Sequence, residues 1–168
     1  MAEDFAIIGG ADGPTTVFVA EKVGTEWFSV FGIMIIVLLL IPNCIYAIKN
    51  KNQKNQCSNK FMNIIEQIGR YGCMILMIFS IGIKEFGYSS VEAFLIYLFG
   101  NAILLIAYWI VLGLYFYKKC FWKEMLLAII PICIFLLSGF TLEHYLLVLF
   151  AVIFACGHLY VTVKSKKS

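Results

Sequence analysis

Apolar runs of membrane-spanning length restrict this chain more than any other feature. "WFSVFGIMIIVLLLIPNCIYAI", Trp27 to Ile48, contains no charged residue. A helix of about 20 apolar residues crosses the roughly 30 Å hydrocarbon core of a bilayer. Inside that core every backbone amide needs an internal partner, which a helix supplies. Two more uncharged runs follow, Ala93 to Tyr117 and Tyr145 to Val163. The 168 residues are 62% hydrophobic and only 14% charged. Soluble domains carry about 25% charged residues. Lipid is therefore the expected solvent, and a water-soluble fold is excluded.

Two segments are less simple. Met125 to Phe140 is short and is expected to break at Pro131. "FMNIIEQIGRYGCMILMIFSIGI", Phe61 to Ile83, has an uncharged part, from Tyr71, that reaches only roughly 20 Å. Its span must begin near Ile64, which carries Glu66 and Arg70 into the inner edge of the membrane. Phe61, Ile64, Ile65 and Ile68 share one helix face, and Asn63, Glu66, Gln67 and Arg70 another. The alternative is that this opening lies flat in the interface. Pro42 is expected to bend the first span. The predicted fold is all-α, a polytopic bundle of about five transmembrane helices over 27–163. A tail at 1–26 precedes it, and a basic tail at 164–168 follows.

Lysine placement orients the bundle. The segment 49–60 holds four lysines, 118–123 three and the C-terminus three, while Lys22 and Lys84 fall on the opposite side of five alternating helices. Positive residues favour the cytoplasmic side. The N-terminus is expected outside and the C-terminus in the cytoplasm. Glu3, Asp4, Asp12, Glu21 and Glu26 suit an exported tail, and its acidity leaves no basic region for a cleavable signal peptide. The six cysteines fit no zinc spacing. They fall in the membrane or on the cytoplasmic side, so free thiols are expected.

Ionisable residues within a membrane are functional candidates. Glu66 and Arg70, spaced i,i+4, share a face. They work as a site or as an ion pair that fixes helix depth. His158, in "CGHLYVT", relays protons or bonds a neighbouring helix or a headgroup. Asn101, in "LFGNAILL", binds a ligand or bonds across helices. No nucleophile–base arrangement, phosphate-binding loop or nucleic-acid motif stands out, so neither an enzyme nor a nucleic-acid partner is expected. No cofactor is implied by these residues.

The opening stretch "FAIIGGADGPTTVFVAEK" differs from all the rest. Glycines at 9, 10 and 13 permit unusual backbone angles. Pro14 can open a helix. Asp12, Thr15 and Thr16 add oxygens beside an unwound turn, the arrangement with which transporters hold Na⁺ or H⁺. The alternative is an exposed Asp-Gly turn capping a small helix. "IIGGADGPTTVFVA" resembles the signature of the β subunit of sodium-pumping biotin-dependent decarboxylases. The likeness covers about Ile7 to Lys22. It implies a broken membrane helix in which Asp12 binds Na⁺ in exchange for a proton, with Gly13 and Thr15 shaping the site. "EQIGRYGCMILMI" and "FACGHLYV" are faintly similar to small membrane proteins of Gram-positive bacteria. The expected setting is thus the bacterial cytoplasmic membrane. Three readings follow: a small membrane protein of undefined role, a Na⁺-binding or transport component completed by oligomerisation, or an accessory or immunity-type protein whose tail engages a membrane partner.

Overall fold

The structure is a computed structural model that describes residues 29–49, 60–79, 88 and 90–167, excepting the side chains of 165–167. The described residues form five helices: α1 (Val30–Lys49), α2 (Lys60–Ile78), α3 (Val91–Tyr117), α4 (Phe121–Thr141) and α5 (Tyr145–Lys167). Four of them, all but α2, are long and apolar enough to cross a membrane. Their outward faces are apolar, with Leu40 and Ile41 on α1, Phe99, Ile103 and Ile110 on α3, and Leu149 and Val152 on α5 all exposed. A face of this kind suits lipid and is costly in water.

The helices close into a ring. α1 touches α2 and α3, α3 packs on α4, α4 on α5, and α5 on α2. α1 and α3 run parallel, because Phe31 meets Phe94, Asn43 meets Tyr108 and Tyr46 meets Tyr115. α3 and α4 run antiparallel, with Asn101 bonded to Ser138 at one level and Tyr115 to Glu124 at another. α4 and α5 form the tight hairpin that the short link "TLEH" foretells. Glu143 turns the chain there with φ 52°. His144 Nδ1 then accepts the Leu147 amide at 2.9 Å and caps α5.

α2 and α5 also run antiparallel, at unusually close range. A Cβ on Gly69 would lie 2.6 Å from the backbone of Phe154, and one on Gly157 would lie 2.8 Å from the backbone of Glu66. Only glycine allows the two backbones to approach so closely. At the far end of α2, the Ser29 amide donates to the Ile78 carbonyl at 2.9 Å. The end of α2 thus lies beside the start of α1. At 19 residues, α2 extends about 28 Å.

The fourth helix differs from expectation. α4 begins at Phe121 and continues through Pro131, so the proline interrupts one hydrogen bond without ending the helix. The charged residues of its first turn are satisfied at the end of α3: Lys123 Nζ donates to the Leu114 carbonyl at 2.8 Å, and Tyr115 donates to Glu124 at 3.0 Å. α1 likewise continues through Pro42. The tail at 1–26 lies outside the described residues.

Candidate functional site

The close α2–α5 contact brings together three residues that lie far apart in the chain. Glu66 is 6% exposed. Its Oε1 accepts from Arg70 Nη2, one turn further along α2. The same oxygen lies 2.9 Å from His158 Nδ1 on α5. A carboxylate only accepts, so His158 donates through Nδ1–H. That leaves Nε2 free either to accept or to carry a second proton. The imidazole stacks on Phe154 with ring centroids 4.9 Å apart and an interplanar angle of 15°. The Arg70 guanidinium sits over the same ring, 5.8 Å from its centroid. Phe154 thereby restricts both hydrogen-bond donors to Glu66.

A polar layer extends from this triad across the bundle. A cavity of about 30 Å³ is lined by Asn43, Arg70 and His158, with Leu39, Met74, Pro131, Phe135 and Phe154 completing it. Asn43 Oδ1 accepts from Tyr108 on α3 at 2.8 Å, and its Nδ2 donates to the Leu39 carbonyl at 3.1 Å. Pro131 gives Leu127 no i+4 donor, since proline has no amide hydrogen. All five helices thus contribute to one layer.

Asn101 belongs to a separate pair. Its Nδ2 donates to the Tyr97 carbonyl at 2.9 Å and meets Ser138 Oγ at 3.1 Å, bonding α3 to α4. Both residues are fully buried and lie nearer the His144 end. His144, a helix cap, stands at the end opposite His158. No group of three or more metal-ligating side chains occurs among the described residues. Asp12, Gly13 and Thr15 lie outside them. Five cysteines, Cys44, Cys73, Cys120, Cys133 and Cys156, are free thiols.

Sequence reasoning pairs Glu66 with Arg70, singles out His158 apart from them, and misses Asn43 and Tyr108. The available signal for Asn43 was an amide beside a proline inside an apolar span. Tyr108 offered only a hydroxyl in the middle of one. The chain matches no protein family, no curated protein and no solved structure.

Proposed function

We propose that this chain is a five-pass membrane protein that handles cations as protons, at the Glu66–Arg70–His158 triad. The N-terminus faces outward and the C-terminus the cytoplasm of a bacterial cell. α2 serves as the fifth crossing. Apart from Lys60 and Gln67 in its first two turns, its exposed residues Phe61, Ile64, Ile68, Tyr71 and Ile75 are apolar, while Glu66 is buried. That polarity is the reverse of a surface helix in water. Its antiparallel fit to α5, together with the meeting of its end with the start of α1, supports a crossing over lying flat. With five crossings, the ends bearing Lys49, Lys60, Lys118, Lys119 and Lys164 gather on one side, as the positive-inside rule requires.

The observation that carries the proton reading is the 2.9 Å contact between Glu66 and His158 inside the bundle. A carboxylate that holds Nδ1–H fixes the tautomer and the orientation of the ring and leaves Nε2 as the atom that can take up or release a proton. The test is NMR of the ¹⁵N-labelled histidines in detergent, titrated with pH in wild type and Glu66→Gln. His144→Asn assigns the signals. The His158 signals should move with pH, and in Glu66→Gln the Nδ1 signal should change because its carboxylate acceptor is lost. A His158 ring that keeps one protonation state from pH 5 to 9 would overturn the reading.

A further inference from the structure

The polar layer is open on one side and closed on the other. Toward the His144 end, the next side chains inward are Leu39, Cys73, Leu105, Ile134 and Phe135, all buried and apolar. Beyond them, the amide and hydroxyl of Asn101 and Ser138 bond each other, separated from the triad by that apolar layer. Toward the lysine-bearing end the situation differs. Arg70 bonds a residue one turn closer to that end, so its guanidinium reaches that way. Its side chain is 34% exposed and that of His158 is 20% exposed.

The cavity has room for water. A site needs about 10–15 Å³ to admit one water, which also needs two to four polar partners to stay in an interior. Arg70 commits one nitrogen to Glu66 and has further N–H groups. Asn43 and His158 supply the other polar atoms. The apolar remainder of the lining excludes a larger polar ligand.

We infer that the cavity between Asn43, Arg70 and His158 holds water that protonates His158 from the lysine-bearing side alone, making the triad a sensor of pH on that side and not a proton channel. This rests on the proton reading above. The exchange is simple: neutral His158 takes a proton on Nε2 from hydronium, giving imidazolium and water, and the reverse step returns it. No other bond changes. The groups facing the site are Glu66 and Arg70 from α2, Tyr108 from α3 and His158 itself from α5. α1 and α4 line the cavity with Leu39, Asn43, Pro131 and Phe135, none of which titrates. Tyr46 stands one turn from Asn43 toward the open end.

The test uses the whole chain, inserted with one orientation into lipid vesicles. The ¹⁵N signals of His158 are followed while pH is stepped on one side of the membrane only. They should move when the lysine-bearing side is acidified and stay fixed when the opposite side is. A trapped pH dye should report proton flux no faster than in protein-free vesicles under an imposed potential. Cross-signals between the His158 ring and water should be present, and should be lost in Met74→Phe, which fills the cavity. Movement with the opposite side, or flux above the protein-free rate, would overturn one-sided access. A ring that titrates in detergent but answers to neither side in vesicles would overturn this inference and leave the proton reading intact.

Discussion

Glu66 is the residue on which the interior polar contacts converge. One of its oxygens serves both Arg70 and His158, so the two donors compete for a single acceptor. Removing the carboxylate strands a guanidinium and an imidazole at once. Breaking an ion pair in an interior costs more than the pair contributes, because the survivor stays poorly solvated. Arg70 is partly exposed, which discounts that cost. Glu66→Gln should therefore destabilise the protein by about 1–2 kcal/mol. Glu66→Gln combined with Arg70→Met should recover at least half of that loss in thermal unfolding in detergent. A silent single change would mean that the pair is fully hydrated. Asn101 poses the simpler case of a neutral bond between two helices. Asn101→Leu should cost about 0.6 kcal/mol, and no more than about 1.7, by the same measurement, the average and the maximum for hydrogen bonds within a membrane bundle.

The α2–α5 pair determines whether the triad exists. Gly157 and Gly69 set the distance between these helices, and Gly157 lies against the very residue that carries the carboxylate. Gly157→Ala puts a methyl group into backbone that cannot swing aside. It should cost about 1–3 kcal/mol, as overpacking does, and should uncouple His158 from Glu66. Gly113 sits on the same kind of apolar helix, yet a Cβ added there would meet no atom of the described residues within 4 Å. Gly113→Ala should therefore be neutral or mildly stabilising, and comparing the two unfolding temperatures checks both. These elements also show what could be seen in the sequence. The long uncharged runs announce α1, α3 and α5, because a span reveals itself by composition alone. The i,i+4 spacing announces Glu66 with Arg70, because a helix fixes that geometry locally. His158 stands 92 residues from Glu66. Their meeting depends on the register of two helices, which local periodicity does not encode. The start of α4 was hidden for a related reason. Lys123 and Glu124 read as a loop until the end of α3 supplies their partners.

On the scale of the whole molecule, the lysines and the exposed apolar faces point the same way, so the topology can be tested with few changes. In intact cells, Thr25→Cys should react with an impermeant thiol reagent and the native Cys57 should not. Equal protection of both would refute five crossings with the N-terminus outside. The tail poses the remaining question, because its sequence proposes a second cation chemistry in the same protein. A carboxylate holds a hard cation only when several more oxygens converge and water is partly excluded. Asp12, Thr15, Thr16 and the carbonyls near Gly13 offer the oxygens, and the bundle must supply the cover. If they meet, sodium at a hundred times its dissociation constant should stabilise the purified protein by about 2.7 kcal/mol. Potassium should do less, and Asp12→Asn should abolish the difference. The triad gives this experiment an internal control, since Glu66→Gln leaves the tail unchanged and should keep the full sodium effect. Should Glu66→Gln lose the sodium effect while Asp12→Asn retains it, the ion is bound in the polar layer and the tail is not its site.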